Sequence, residues 1–529
     1  MIDYGINADW PPKRLVPVYD KMAEWSVWWA GDREHLASYY GGGFYGDLSN
    51  ALYRPRPAQL AGGVVGWWAR WWWGQPVKPN QQSPNLHMPL AADIAVGSAD
   101  LLFGEELAIE TPGLSTAQRE RLDKILDANS LHARLLEAAE AGAALGGTYL
   151  RIVQDAEVDN GDPIITVVPA DCAIPTFRWG RFQSVQFWHV LPTDGNAVWR
   201  HVEEYRLGVV EHALFEGSDT QLGVRRELTA LPETRGVAAM VDASSSIPMP
   251  GMNAFYVPNM LPNRLWNVAP DLGRSDFNQA EPLFDALDEA WTSLMRDVRL
   301  GKARLIVPES SLIPTTPGKP MLADIDQEVF TGLNIPPNAG KAFEEFQPEI
   351  RAEQHLSVIG ELVRNTIERC GYSAATFGLN SEGGAQTAAE VRSRERRSLS
   401  TREKKTRYWT ERLEALIDQV AVLAGIGDAQ TKVTFPAAVA PSPLELANVA
   451  QALKNAEAAS TRERVRVVHP DWDDEQLDEE VEAIESATKV EDPTTVADRA
   501  VQRLQAGAVQ PEQQVTPEPE QQPPATART

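Results

Sequence analysis

An α+β fold is what this sequence predicts, and three observations predict it. Apolar residues between 86 and 145 recur at helical spacing. From 148 to about 257 the period drops to two. After 281 it returns to that of a helix, with the longest stretch over 387–424. The 529 residues leave room for two to four cores of ordinary size.

A first helix is expected from near Pro12, ending on Trp25, Trp28 and Trp29. A second tryptophan cluster, Trp67, Trp68, Trp71, Trp72 and Trp73, follows Gly62, Gly63 and Gly66. A membrane belt or a base-stacking platform is conceivable for such clusters. Core and subunit interface is the preferred reading, because aromatics dominate buried area there.

Pro89 to Gly104 reads as a buried helix, with Leu90, Ile94, Ala95, Leu101 and Leu102 in phase. Ser115 is a plausible N-cap for a helix to Ala128 with Leu122, Ile125 and Leu126 on one face. The alanine-rich stretch Leu131 to Leu145 makes a third helix, stopped by Gly146 and Gly147. Strands are expected over Thr148 to Val153, Ile164 to Val168, Phe182 to Val190, Val198 to Leu207 and Val209 to Phe215. Asp159-Asn160-Gly161-Asp162 reads as a hairpin turn rather than a metal loop. Residues 216–280, with five prolines from Pro248 to Pro270, read as irregular.

Pro282 suits a first helical turn, and Leu283, Leu287, Trp291, Leu294 and Val298 form one stripe up to Gly301. Residues 303–349 interrupt it as a small mixed module, with a short strand from Ala303 to Val307. Helix resumes near Ile350, with Leu356, Ile359, Val363, Thr366, Ile367 and Cys370 on one side, and ends at Gly371. A glycine-rich loop occupies 371–386. The helix 387–424 comes next, striped by Trp409, Leu413, Leu416 and Val420, and then an isolated strand, Thr431 to Phe435. Two more helices are expected, 443–459 and 473–487; from about Ala506 the Gln, Pro, Glu and Thr composition reads as a disordered tail.

The formal charge is −25, against the basic face that a protein gripping duplex DNA normally shows. The charge is uneven: Asp471 to Thr529 holds 15 acids and 4 bases, and Arg392 to Arg412 holds 9 bases and 3 acids. No basic and apolar leader opens the chain, and no apolar run reaches the roughly 18 residues of a membrane span. Gly62 to Gly74 comes closest, and it carries Arg70. Cys172 and Cys370 offer neither a metal spacing nor a disulfide framework. These features predict a protein of the cell interior.

Catalytic patterns are missing. Gly301-Lys302 lacks the remainder of a phosphate loop. Ser98 follows Gly97, but Val96 and Asp100 stand where a nucleophile elbow needs its two glycines. None of the eight histidines pairs at i, i+4, and His132 and His189 read as packed or solvated. No catalytic residue, cofactor or metal is expected.

Several runs, in order, carry a resemblance. They are Leu86-His-Met-Pro-Leu-Ala-Ala-Asp-Ile-Ala through Ala99-Asp-Leu-Leu-Phe-Gly104, and Ala138-Ala-Glu140 through Leu145-Gly-Gly-Thr-Tyr149. Ile174-Pro175 through Trp179-Gly180, Tyr256-Val-Pro-Asn259 and Gly273-Arg-Ser-Asp276 come next. Leu287-Asp288 through Arg296-Asp297 and Thr387-Ala-Ala-Glu-Val391 through Tyr408-Trp409 complete the set. Together they resemble the portal proteins of tailed bacteriophages, of the siphophage type common in phages of actinobacteria. The match is weaker in the first eighty residues and the tail.

The resemblance implies a portal fold: a wing over 1–280, stem helices over 281–302 and 350–370, and a clip over 303–349. A tunnel loop over 371–386, a spine helix and wing strand over 387–442, a crown over 443–504 and a disordered tail over 505–529 complete it. It implies a dodecameric ring at a capsid vertex of the virion, assembled in the host cytoplasm with the major capsid and scaffold proteins, with no membrane. Double-stranded DNA would pass the tunnel loop at Asn380, Ser381, Glu382 and Gln386. The large terminase subunit and the head-tail adaptor would dock on the clip at Arg304, Glu309, Lys319 and Asp324. The basic block 392–412 would either touch packaged DNA or pair with acidic neighbours in the ring. The second reading is favoured because Arg and Glu alternate there as in i, i+4 pairs. A different class of function, an intracellular scaffold or adaptor assembling through coiled-coil helices, fits the same helical patterns.

Overall fold

A computed structural model describes residues 2, 4–32, 35–36, 39, 86–159, 161–192, 197–267, 269–300, 304–306, 344–346, 351–379, 388–436, 443–469 and 472–488. The chain divides into two compact units, Met1–Ala438 and Val439–Thr529. The tryptophans 67–73 lie outside the described residues, as do Ala506 and the rest of the tail.

The first unit begins with helix α1 (Val16–Ala30), which buries Trp25 and Trp28 as core. Helix α2 (Leu90–Phe103) follows, then strand β1 (Ala108–Glu110), α3 (Thr116–Ala128) and α4 (Leu131–Leu145). Ser115 and Gln118 form a capping box at the start of α3. Alanines and Gly142 line the buried side of α4, which lets it lie close against α2 and the sheet behind it.

Strands β2 (Gly147–Gln154) and β3 (Pro163–Pro169) pair antiparallel, joined by a one-turn helix at Ala156–Asp159 and by Gly161 at φ +88°. Then come β4 (Ala173–Arg178), β5 (Arg181–Leu191), β6 (Val198–Arg206), β7 (Val209–Ser218) and β8 (Gln221–Arg226). A short helix α5 (Arg235–Met240) precedes β9 (Ser246–Pro248) and β10 (Ala254–Pro258). Residues 216–280 are thus not irregular. Prolines punctuate the segment, but Pro248 and Pro258 close strands, where a missing N–H is tolerated.

Two sheets result, a three-stranded one in the order β10-β2-β3 and a six-stranded one, β4-β5-β6-β7-β8 with β9 beside β7. The period of two in β2 and β10 feeds two cores. Tyr149 and Tyr256 meet Phe187 and Tyr205 of the larger sheet; Leu150, Ile152, Phe255 and Val257 join α3, α4 and the later long helix. The chain start covers the larger sheet: Ile2 N donates to Glu211 Oε1 at 2.7 Å, and Trp10 packs edge-on against Trp188.

Helix α6 (Glu281–Leu300) and helix α7 (Ala352–Cys370) form a hairpin. Asp297 near the end of α6 takes Arg351 at 3.0 Å and His355 at 2.9 Å from the start of α7. Between them β11 (Arg304–Ile306) pairs with β12 (Glu344–Phe346), and the residues between those strands lie outside the description. Ile359, Val363, Thr366, Ile367 and Cys370 are buried as their spacing predicts; Leu356, expected with them, is 51% exposed, as is most of the near end of α7. The base of the hairpin is fastened: Glu281 accepts from Trp25 Nε1 (2.9 Å), and Asp288 takes His87 Nδ1 (2.7 Å) and Met88 N (3.0 Å).

Helix α8 (Ala388–Leu423) is the longest. Its second half puts Trp409, Leu413, Leu416 and Val420 in the second core, and β13 (Lys432–Thr434) then pairs with β1. The strand expected to stand alone has this partner some 320 residues earlier, a pairing no local pattern announces.

Among the described residues the second unit holds three helices, α9 (Pro443–Asn455), α10 (Thr461–Val468) and α11 (Asp474–Thr488), where two were expected. The arginine-rich α10 carries little apolar signal. It is set by Ser460, whose hydroxyl accepts from Glu463 N, and by Arg462 and Arg466 on Asp474.

In the first unit Gly273 sits where two backbone segments nearly touch. A Cβ on Gly273 would fall 2.1 Å from Gly146 O and 2.8 Å from Asn259 N. Gly273→Ala must therefore push backbone against backbone. It is expected to cost about 1–3 kcal/mol, at the upper end of that range, in a denaturant titration.

Candidate functional site

Of the residues picked out from the sequence, Asn380, Ser381, Glu382, Gln386, Glu309, Lys319 and Asp324 lie outside the described residues. Arg304 is on β11, opposite Phe346. What the structure supplies is the pair of stalks that carry the glycine-rich loop: residues 371–379 on one side and the first turns of α8 on the other.

The first stalk begins where Gly371, at φ +99°, ends α7 in the left-handed region that favours glycine. A 3-10 turn, Ala374–Phe377, comes next. Side chains tie this stalk to α8 at several levels. Ser373 N donates to Ser398 Oγ (2.8 Å), and Ser373 Oγ donates to Arg394 O (2.6 Å). Thr376 Oγ1 meets Ser398 Oγ at 2.7 Å, and Thr401 Oγ1 donates to Gly371 O at 2.6 Å. Phe377 closes over Gly97 of α2, where any Cβ would sit 2.8 Å from its ring.

At the foot of the stalks Lys405 of α8 is buried. Its ammonium has three donors and finds three acceptors: Asp276 Oδ2 at 2.6 Å, Ser98 Oγ at 2.8 Å and Tyr372 Oη at 2.9 Å. Asp276 is equally engaged. Tyr372 donates to Oδ2 at 2.6 Å and Asn259 Nδ2 to Oδ1 at 2.8 Å. Four segments meet in this post: α2, the stretch 259–276, the end of the α6–α7 hairpin, and α8. Burial pushes the Lys405 ammonium below its ordinary range, opposed by Asp276. Burial, then Asp276, pushes the Tyr372 hydroxyl and the Cys370 thiol well up, so Cys370 is held as an inert thiol.

Beside the post opens a cleft of about 730 Å³. Arg264, Arg274, Arg369, Arg394, Arg396, Arg397 and Lys404 line it, with Asp276 and Glu368 the acids among its walls. Against a chain charge of −25 this is a concentrated basic surface. The block 392–412 is therefore split by the helix. Part of it lines the cleft, Lys405 is sealed below, and Arg402 donates to Leu101 O and, at 2.7 Å, to Pro436 O. The partners of Lys405 and Arg397, Asp276 and Glu368, stand on other elements rather than four residues along α8.

Reading the sequence by motif did not assemble this post. Ser98 stood out only as an incomplete nucleophile elbow, Asp276 only within a four-residue run, and Lys405 only as one of nine bases. Its members are spread over some three hundred residues, and no spacing joins them. A second cluster went unseen although its members are close in sequence: His201, Glu203 and His212 are buried together on β6 and β7, and the register of the two strands, not a metal-ligand spacing, brings them together.

Residues 71–494 match the family model described as phage portal protein, SPP1 Gp6-like. No curated protein matches the chain. Among solved structures, the neck of a native gene transfer agent particle computed with C12 symmetry is 12% identical, covering 72% of this chain and 90% of that one, with a TM-score of 0.37. The neck of an empty particle computed with C6 symmetry is 14% identical over 73% and 91%, with a TM-score of 0.38. The virion of the native particle gives 12% over 73% and 91%, with a TM-score of 0.36.

Proposed function

The chain belongs to the phage portal protein family of the SPP1 Gp6-like type, and from that premise we propose that it is the ring-forming subunit of a capsid vertex through which the genome enters and leaves. The observation that carries this reading is the reach of the family match, which takes in every described element from α2 to α11. On this reading residues 1–280 form the wing and the α6–α7 hairpin forms the stem. Residues 303–349 are the clip that docks terminase and adaptor, 371–386 the tunnel loop, with 380–386 its part that meets DNA, α8 the spine, and α9 to α11 the crown.

The physical chemistry agrees with a conduit. Duplex DNA carries about one charge per 1.7 Å of axis, and a channel that must let it slide cannot hold it in a deep electrostatic well. An acidic chain suits that task. We assign the basic cleft beside the loop stalks to acidic groups of the next copy in the ring, because such a cluster in an open bore would grip the duplex.

Mass photometry and negative-stain images of the purified chain test the reading. Twelve copies of a 58.3 kDa chain come to about 700 kDa, and rings of that order are expected. Arg394, Arg396 and Arg397 changed together to Gln should lower the ring fraction while the monomer stays folded. A coiled-coil scaffold would give two to four copies instead, and that result would reject the portal reading.

A further inference from the structure

Strands β5, β6 and β7 run antiparallel in register, with His189 opposite His201 and Glu203 opposite His212. Directly opposed residues share a face of a sheet, and so do residues two apart on one strand. His189, His201, Glu203 and His212 therefore stand on one face. It is the face that Phe187 and Tyr205 turn toward the smaller sheet. His201, Glu203 and His212 are all buried, and their ligand atoms lie within 4.8 Å of one another.

Two of these atoms are already spaced as ligands. His201 Nε2 and His212 Nδ1 are 3.2 Å apart in a ring-to-ring hydrogen bond, with the rings nearly parallel, and an ion would replace the proton between them. Zinc–nitrogen bonds of about 2.0–2.1 Å put two imidazole nitrogens about 3.3 Å apart on a tetrahedral ion. The carboxylate is held at one oxygen only. Arg151 Nη1 donates to Glu203 Oε2 at 2.7 Å and Tyr205 Oη to the same atom at 3.2 Å. Oε1 has neither bond and lies 3.7 Å from His201 Nδ1, on the imidazole side.

We infer that His201, His212 and Glu203 form a binding site for a zinc-like dication, with His189 opposite His201 on the neighbouring strand. The ion would clip β6 to β7 above the contact between the two sheets. Burial supports it, since His201, Glu203 and His212 are all buried and would enclose the ion in protein rather than water. Arg151 opposes it, and so decides the class of ion. A hard oxygen-seeking cation gains little from two imidazoles and meets a guanidinium, whereas an ion of zinc's softness bonds the nitrogens directly. The inference does not depend on the portal reading, because it concerns one chain.

The test uses the full-length chain, stripped with chelator and titrated with zinc chloride against a chromophoric chelator. One zinc per chain is expected, with magnesium and calcium chloride failing to compete. His201→Gln and His212→Gln should each weaken binding at least tenfold, His189→Gln less, and His132→Gln not at all. Should the core variants fail to fold, cobalt chloride added to the unaltered chain reads the same site: the visible absorption of a tetrahedral nitrogen–oxygen complex is expected. No stoichiometric zinc, a featureless cobalt spectrum, or zinc uptake that His201→Gln and His212→Gln leave unchanged would overturn the inference, making the cluster a polar staple only.

Discussion

Lys405→Met is expected to destabilise the first unit by about 3–5 kcal/mol, the usual cost of removing one partner from a buried ion pair. Methionine fills nearly the same volume, so the loss is electrostatic rather than a cavity. Asp276 would keep Asn259 and Tyr372 as donors but lose its only described cation, and Ser98 would lose its donor. Denaturant titration at fixed protein concentration measures the loss. Lys13→Met is the control: its pair with Asp9 is 81% and 52% exposed, and pairs of that kind contribute little. The double variant Lys405→Met/Asp276→Asn should recover part of the loss, since no unpaired charge is then left inside. If Lys405→Met matches the control, the post does not hold the stalks.

Deleting Ser381 to Gln386 should abolish or cut DNA packaging by an order of magnitude or more while rings still form. The reason lies in where the cross-links stop. Ser373, Thr376, Ser398 and Thr401 join the stalks below the loop, and Lys405 locks them at the foot. The deletion leaves all of these in place, so the fold is expected to survive it. Packaged DNA per particle and ring yield, measured on the same preparation, separate the two effects. Normal packaging by intact rings would show that this loop is not the part that meets DNA.

The contrast between the α6–α7 hairpin and the post shows what the sequence made legible. Helices α6, α7 and α8 could be read to within a few residues, because apolar stripes at three- and four-residue spacing are local and strong. Strands β2, β3, β5, β6 and β7 could be read for the same reason at a period of two. Strands β4, β8 and β10 could not, being short and carrying Pro175, Gly223 and Pro258, residues whose local signal is that of a turn. The β1–β13 pair and the post of Ser98, Asp276, Tyr372 and Lys405 depend on chain segments brought together from far apart. Periodicity carries no information about such meetings. Burial of Lys405 runs against its residue type, and only its partners explain it.

If the chain is a portal subunit, the stalks fixed by this post present residues 380–386 of the loop 371–386 to the genome. A photo-crosslinking amino acid at Ser381 or Gln386, activated in DNA-filled particles, tests it most directly, with the same group at exposed Glu157 as the reference. The account predicts protein–DNA adducts from 381 and 386 and few from 157. Adducts that are absent from the loop, or no more frequent there than at Glu157, would contradict it.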